Sequence, residues 1–508
     1  MHSPTSTAHG LARQKSAVLA TVAIGVSLTL GACTAPPSAG TPSPSTNVLD
    51  RSTTSADAVW EVALSPIAQP EVADGVALVY AKTASGVTAH AISVTDGKEI
   101  WNQTVHPGLG APGVSLTPAI TKTSAGASVA VFLQETAAPT NDSGTSWWTA
   151  PVAVDLKSGK ELYRGDPQLV ESRPAACDDE LDMCFTSLDA QTRLTTQHRV
   201  DLSAGTDSTG PEVNPLTGNF RLVGNGLYSV VEDGREQLAR VSAGSKLWEA
   251  DVQSLFGPGA TTNLGWTFEY SKKLDLYIGS VGINPTTETD YARLMEQTFT
   301  VDLTKHKTVG FRASTGEKLW TAEGSEKWCS SGVGKTETKL MEGNAFPVRC
   351  EYNQGTMVVP GDGYQNAEGK VVGYDPATGE AKWQTKPTPI KAAADLLIPS
   401  PSRGDMVLTG GPDGLVIVDT RSGASREATS EDVFLCSKAA KYPLPADAPF
   451  PVQPEGNLGT GGSTLFPCDR NAKATPAPAT GTLRDIPATN NGVAVLAQEN
   501  SLSGFKLP

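Results

Sequence analysis

The chain has 508 residues, a formal net charge of −14, 50 Gly and 36 Pro. A chain this acidic lacks the basic stripe that phosphate backbones require, so we expect no nucleic-acid partner. No stretch shows sustained helical periodicity, and the high Gly, Thr and Pro content favours an all-β fold.

Residues 1–32 predict an export signal that is not part of the fold. A polar start with two basic residues precedes an apolar run at 17–30, which is short for a bilayer span. The run ends in Leu-Gly-Ala-Cys, which resembles the bacterial lipobox, so lipidation is expected at Cys33. The alternative is an ordinary signal peptide with an incidental cysteine.

Residues 33–54 are rich in Ser, Thr and Pro and have almost no large apolar side chains, which predicts an extended tether. No second apolar run of membrane length occurs in the sequence. We therefore expect the protein at the cell membrane, held by lipid alone and facing outside the cytoplasm. The folded body is expected at 55–508.

A phrase with a central Gly, and in its full form a Trp four residues later, recurs along this body. Four full copies end in Trp, one degraded copy ends in Tyr, and two shorter copies keep the Asp and the Gly but lack the aromatic residue. They lie at 93–101, 240–248, 312–320 and 375–383, at 155–163, and at 201–205 and 419–423.

Each part of the phrase has a physical role. The Gly supplies the positive φ that a short hairpin turn requires, and an Asp four residues earlier can accept turn N–H groups. The aromatic residue opens the next strand and can bury a flat ring against a neighbouring sheet. The predicted turn glycines are Gly97, Gly159, Gly244, Gly316, Gly379 and Gly423, with a fainter one at Gly205. The predicted docking aromatics are Trp101, Tyr163, Trp248, Trp320 and Trp383.

The pattern resembles the tryptophan-docking repeat of PQQ-like, or quinoprotein-like, β-propellers, over nearly all of residues 58–508. The resemblance implies a single propeller of four-stranded blades, with eight blades expected and seven left open. Four strands predicted in the tail, at 433–436, 463–468, 492–498 and 501–507, would form the eighth blade, with 440–462 as an inserted loop. The orphan strand at 58–64 carries Trp60, which we expect to complete the last blade and close the ring.

Six cysteines follow Cys33, and an even count in an exported chain suggests disulfides. Fifteen pairings are possible, and proximity favours three: Cys177 with Cys184, Cys329 with Cys350, and Cys436 with Cys468. No CxxC motif occurs and histidines are few, so we expect no metal site.

Catalysis is not expected from these residues. The alcohol dehydrogenases that share the repeat resemble one another in a vicinal Cys-Cys ring over the PQQ cofactor, and this chain has no adjacent cysteines. We expect no cofactor. The adjacent Trp147 and Trp148 leave two interpretations open, a peptide or glycan contact or burial of both rings.

The leading hypothesis is therefore a monomeric, non-catalytic binding or scaffolding propeller whose partners are envelope proteins or cell-wall polymer. In repeat type it is similar to the propeller lipoprotein of the outer-membrane β-barrel assembly machine, although no residue here identifies that machine's partners. The composition also suggests a high-GC bacterium with a single membrane, where no such machine would exist. Two alternatives remain: an extracytoplasmic enzyme, either a quinoprotein dehydrogenase or a glycan-active enzyme, and a ligand-sensing module.

Overall fold

A computed structural model gives the fold of the chain. It describes residues 58–109, 116–139, 147–177, 181–189, 195–209, 220–224, 226–232, 234–242, 245–286, 293–294, 296–327, 346–359, 363–389, 407–411, 414–419, 421–427, 434–444, 458–469, 473–474, 489–490 and 492–506. The predicted leader, Cys33 and the tether lie outside the described residues. In the described ranges the protein is almost entirely β, as the sequence predicts.

The first strand pairs with a strand near the C-terminal end of the chain. The next eight strands form two four-stranded sheets. Strand β1 is Ala58–Ala63. Sheet 1 contains β2 (Glu71–Ala73), β3 (Val76–Thr83), β4 (Gly86–Ser93) and β5 (Glu99–Val105). Sheet 2 contains β6 (Ile120–Lys122), β7 (Ser128–Glu135), β8 (Thr149–Asp155) and β9 (Glu161–Arg164).

The next two sheets repeat this antiparallel order. Sheet 3 contains β10 (Leu169–Val170), β11 (Ala175–Ala176), β12 (Met183–Leu188), β13 (Thr195–Asp201) and β14 (Thr206–Thr209). Sheet 4 contains β15 (Phe220–Gly224), β16 (Leu227–Glu232), β17 (Arg235–Ser242) and β18 (Ser245–Asp251). A one-turn helix, α1 (Val252–Phe256), follows with Asp251 as its N-cap.

One strand of sheet 6 comes from the stretch of chain that forms sheet 5. Sheet 5 contains β19 (Ala260–Ser271), β20 (Leu276–Ile283), β22 (Lys307–Arg312) and β23 (Lys318–Glu323). Strand β21 (Phe299–Asp302) lies between β20 and β22 in the chain, yet it pairs in sheet 6 and leads into a 3-10 helix, Leu303–Lys305. The other strands of sheet 6 are β24 (Ser325–Glu326), β25 (Val348–Val359), β26 (Gly363–Tyr374), β27 (Ala381–Gln384) and β28 (Thr388–Pro389).

The last part of the chain forms two sheets and a separate hairpin. Sheet 7 contains β29 (Val407–Gly411), β30 (Gly414–Val418) and β31 (Ser425–Glu427). The hairpin contains β32 (Phe434–Pro443) and β33 (Leu458–Cys468). Sheet 8 contains β34 (Thr489–Asn490), β35 (Val493–Ala497), β36 (Ser501–Lys506) and β1, which pairs antiparallel with β36.

The hairpin corrects one sequence prediction. Residues 433–436 and 463–468 were expected in the eighth blade, but β32 and β33 form a hairpin of their own, and outside it β33 has isolated bridges from Gly461 to Leu116 and from Cys468 to Ala474. The expected loop at 440–462 is partly strand, because β32 continues to Pro443 and β33 starts at Leu458. The hairpin packs against sheets 1 and 2, because Tyr442 is buried in their hydrophobic cluster.

Burial differs between the middle and outer strands of a sheet. Along β3 the first six side chains are all buried, because both faces of that strand are covered. Outer strands such as β5 and β23 expose most of their side chains. The apolar material therefore lies between neighbouring sheets, and each sheet depends on the next for its core.

Candidate functional site

The turn that leads into the last strand of a sheet has one conformation in six described copies of the repeat. Its glycine has φ between +67° and +73°, a region that residues with a Cβ rarely adopt. The glycine N–H donates to the carbonyl of the residue four positions earlier, at 2.8–2.9 Å. These glycines are Gly97, Gly159, Gly205, Gly316, Gly379 and Gly423. Gly244 lies outside the described residues.

An aspartate carboxylate braces these turns. Asp155 Oδ1 accepts a hydrogen bond from the Ser158 N–H at 2.8 Å, as the Asx pattern in the sequence suggests. In sheet 5 the equivalent position is Arg312, and Asp275 takes over the role from the turn after β19. Its Oδ1 accepts from the Ser314 N–H at 2.8 Å. The sequence analysis missed Asp275 because the residue comes from another part of the chain.

The docking tryptophans lie on the turn of the following sheet. A Cβ at Gly379 would lie 2.6 Å from the Trp320 ring, so only glycine allows this stacking. The indole N–H of Trp320 donates to the Pro376 carbonyl at 2.9 Å, three residues before the glycine. The same stacking joins Trp60 to Gly97, Trp101 to Gly159, Trp248 to Gly316 and Trp383 to Gly423. The same indole bond joins Trp60 to Val94, Trp101 to Leu156 and Trp248 to Ala313 at 2.7–2.9 Å.

Three of these rings also cover a glycine of their own sheet. Trp320 is paired with Gly310, Trp383 with Gly373, and Trp60 with Gly504. A Cβ at any of the three glycines would lie 2.1–2.2 Å from the ring. The sequence analysis missed these residues, although a Gly six positions before the turn Gly was readable in two copies of the phrase.

Sheet 4 departs from the pattern of the other copies. Trp248 is paired with Arg240, whereas Trp101 is paired with the small Ala91. The Arg240 side chain is buried, and its guanidinium lies 4.8 Å from the centre of the Tyr270 ring. A copy that looks complete in the sequence therefore has a different strand register.

Tyr163 occupies the docking position of sheet 2 but does not dock in the same way. A Cβ at Gly165, in its own sheet, would lie 3.0 Å from the Tyr163 hydroxyl. No atom of the described residues comes within 4 Å of the Cβ position of Gly205, the turn glycine of sheet 3. Burial, with Asp207 and Asp166 nearby, raises the pKa of Tyr163 to about 12.

Disulfides join cysteines close in sequence. The sulfur atoms of Cys177 and Cys184 are bonded within sheet 3, and those of Cys436 and Cys468 close the hairpin. Cys350 is also disulfide-bonded and fully buried. Its predicted partner, Cys329, lies outside the described residues.

A polar cluster lies where sheets 5 and 6 meet. The Glu326 carboxylate accepts from the hydroxyls of Tyr352 at 2.8 Å and Tyr364 at 3.1 Å, and it contacts Nδ1 of His306. Burial by itself raises the pKa of Glu326. The His306 ring and the two hydroxyls more than offset this effect and hold the pKa below its ordinary value.

A buried ion pair lies next to this cluster. Lys327 Nζ is 2.5 Å from Glu269 Oε1, and both side chains are almost fully buried. Burial lowers the pKa of Lys327, and Glu269 counteracts part of that change. Replacing either partner alone would leave a buried charge without its counter-ion, so the pair restricts substitution where the two sheets meet.

Trp147 and Trp148 do not form an exposed pair. Trp147 is 2% exposed, and its ring packs edge-on against His106 at a centroid distance of 5.0 Å. Trp148 is half-buried. The Trp147 ring therefore belongs to the core, and a peptide or glycan contact through Trp148 stays a prediction.

The described residues contain neither a membrane-spanning helix nor a cluster of metal-binding side chains. Among those residues no helix is both long and apolar enough to cross a membrane. The same residues hold no group of three or more His, Cys, Asp or Glu side chains placed to bind a metal ion.

The repeat, the indole docking and the sheet order define a β-propeller of the PQQ-like repeat class. The model of the family described as outer membrane protein assembly factor BamB matches residues 152–433, more than half of the chain. The chain belongs to this family. No curated protein sequence matches significantly.

Solved structures are similar at low identity. BamB from Moraxella catarrhalis is 13% identical, with 89% of this chain and 98% of that chain covered and a TM-score of 0.34. A protein from Listeria monocytogenes EGD-e is 9% identical, with 75% and 96% covered and a TM-score of 0.35. Quinohemoprotein alcohol dehydrogenase ADHIIG from Pseudomonas putida HK5 is 13% identical, with 89% and 76% covered and a TM-score of 0.26. Likeness at this level transfers neither an activity nor a partner.

Proposed function

We propose that this protein is a non-catalytic binding or scaffolding module, anchored to the cell membrane by lipid at Cys33 and facing outside the cytoplasm. Its partners are envelope proteins or cell-wall polymer. The observation that carries the proposal is the use of the repeat residues. In the described interfaces, the glycines and tryptophans of the repeat hold one sheet against the next. The family match, to an assembly factor, supports protein partners.

The proposed architecture is a monomeric ring of eight blades, sheets 1 to 8, closed by β1. The pairing of β1 with β36 supports closure, as does the stacking of Trp60 from β1 on Gly97 of sheet 1. Both ends of the folded body then contribute to one blade, and the exposed sheet edge that such a ring would otherwise have is removed. A rigid ring of this kind leaves its loops free to vary for binding.

The proposal is tested in the native envelope with Cys33→Ser. Lipidation predicts that the wild-type protein fractionates with membranes, whereas the variant moves to the medium or remains an uncleaved precursor. Chemical crosslinking of the wild-type protein in intact cells, followed by mass spectrometry, should recover specific envelope proteins or wall fragments. A correctly processed variant that stays in the membrane fraction with unchanged mass contradicts the anchor. Recovery of no specific partner contradicts the scaffolding role.

A further inference from the structure

The turn around Gly205 is built like those that receive an indole elsewhere in the protein. Gly205 has φ +67°, the same as Gly159, and its N–H donates to the Asp201 carbonyl at 2.8 Å. Asp201 Oδ1 accepts from the N–H groups of Ser203 and Ala204 at 2.8 and 2.9 Å. The turn therefore has the docking conformation without a docked ring, so binding would not need to form it.

The occupant used elsewhere is missing over this turn. At Gly159 a Cβ would lie 2.6 Å from the Trp101 ring, while at Gly205 no atom of the described residues lies within 4 Å. The carbonyl three residues earlier, Leu202, corresponds to the Leu156 carbonyl that accepts the Trp101 indole N–H at 2.9 Å. No donor among the described residues bonds the Leu202 carbonyl.

The reason is the residue at the docking position of sheet 2. Tyr163 has a smaller ring than Trp and no N–H, and its hydroxyl lies close to Gly165 of its own sheet. With Tyr163 in this place, no ring of the described residues stacks on Gly205. No donor among those residues bonds the Leu202 carbonyl either. We name the surface formed by Tyr163, Leu202, Gly205 and Asp207 the Gly205 slot.

We propose that the Gly205 slot binds the side chain of an exposed tryptophan on a partner protein. The ring would stack on Gly205, and its N–H would donate to the Leu202 carbonyl, as the indoles of Trp60, Trp101, Trp248 and Trp320 do at the described interfaces. The Asp207 carboxylate, whose Oδ2 lies 2.9 Å from Nδ1 of His198, belongs to the slot and favours Lys or Arg beside that tryptophan. This inference rests on the proposed binding function and names the partner's chemistry.

The test uses 5-fluoroindole as the probe and the full-length chain carrying Cys33→Ser. Binding is followed by broadening of the ¹⁹F line, with dissociation on the order of millimolar for so small a ligand. Tyr163→Trp fills the slot from within and should weaken binding at least tenfold. Tyr163→Phe, the matched control, should bind as the parent does. Trp101→Tyr opens an equivalent slot over Gly159 and should add a second site.

Equal binding by the parent and Tyr163→Trp would overturn the proposal, as would no binding by the parent at millimolar concentration. The two proposals fail separately. A slot that binds 5-fluoroindole in a protein without crosslinked partners refutes the scaffolding role alone. Partners captured by a protein that binds no indole refute the slot alone.

Discussion

The interface between sheets 5 and 6 and the interface between sheets 2 and 3 use the same turn with different occupants. In the first, Trp320 lies between Gly310 and Gly379 and packs against the fully buried Tyr374. The contact between Glu326 and His306 and the ion pair between Lys327 and Glu269 lie in the same region. In the second, Tyr163 leaves the surface over Gly205 open.

The comparison separates two reasons for glycine in the repeat. Both Gly379 and Gly205 need a positive φ, so the turn itself demands glycine in each sheet. Only Gly379 also needs room for a ring. The turn is therefore independent of the aromatic residue, and an interface can lose its indole and still keep its fold.

The largest expected effect is loss of the indole where it docks. Trp101→Ala, Trp248→Ala, Trp320→Ala and Trp383→Ala should each lower the free energy of unfolding by about 3–5 kcal/mol, because each removes a large ring between sheets. Tyr163→Ala should cost about 1 kcal/mol, since its ring does not dock on the next turn. Urea unfolding measures both. Equal losses at Tyr163 and Trp320 would remove the distinction between the interfaces.

The disulfide that closes the longer loop should contribute more to the free energy of unfolding. Cys436 and Cys468 are 32 residues apart, whereas Cys177 and Cys184 are 7 apart. Chain entropy predicts a loss of about 4 kcal/mol for replacing the first pair with Ser and about 2 kcal/mol for the second. Thermal unfolding of the two double variants checks the order. A greater loss for the 177–184 variant would contradict the chain-entropy explanation.

The polar cluster at sheets 5 and 6 predicts acid sensitivity. The pKa of Glu326 is lower in the folded state than its ordinary value of 4.5. Its carboxylate therefore contributes stability above that pH, and the contribution is lost as pH falls through the lower folded value. Glu326→Gln should cost about 1–3 kcal/mol at pH 7, because the charge is lost and an NH2 donor replaces one of the two oxygens that the hydroxyls and the imidazole contact.

The same variant should lose less additional stability than the wild type between pH 5 and pH 3. Unfolding curves at several pH values measure this difference. Glu499→Gln, at an exposed ion pair with Lys438, is the control and should leave stability nearly unchanged. An identical pH dependence in wild type and Glu326→Gln would show that another group controls acid unfolding.

The smallest expected effect is that of PQQ. The tryptophans and glycines of the repeat hold sheets together whether or not a cofactor is present. Titration with PQQ and calcium should give no micromolar binding, and dye-reduction assays with alcohols and aldoses should show no turnover. Tight binding together with turnover would replace the scaffolding proposal with quinone chemistry.

Sequence reasoning predicts what is local to the repeat. The Gly spacing predicts the turns because each turn lies within one hairpin, and the repeated aromatic after the Gly predicts packing on the neighbouring sheet, as at Trp101, Trp320 and Trp383. The all-β class follows from the same signal. The pairing of Cys436 with Cys468 was the nearest choice for those two cysteines, and the hairpin brings them together.

Features that depend on distant parts of the chain could not be predicted. Asp275 replaces the aspartate missing at Arg312 through a turn between other strands. The hairpin is separate from the eighth sheet, and its Tyr442 packs in the hydrophobic cluster of sheets 1 and 2. The copy that contains Arg240 and Trp248 looks regular in the sequence but has a different strand register. The open surface over Gly205 depends on where the Tyr163 ring lies, which spacing does not specify.

Double-mutant cycles at the two interfaces test most directly the claim that the ring and the turn are separate parts. The cycles combine Trp320→Ala with Gly379→Ala, and Tyr163→Ala with Gly205→Ala. Both Gly→Ala changes carry a left-handed backbone cost of about 1–2 kcal/mol, but only Gly379→Ala also displaces a ring. We predict a coupling free energy of about 1–3 kcal/mol for the first pair and less than about 0.5 kcal/mol for the second. Equal coupling at the two interfaces would contradict the account.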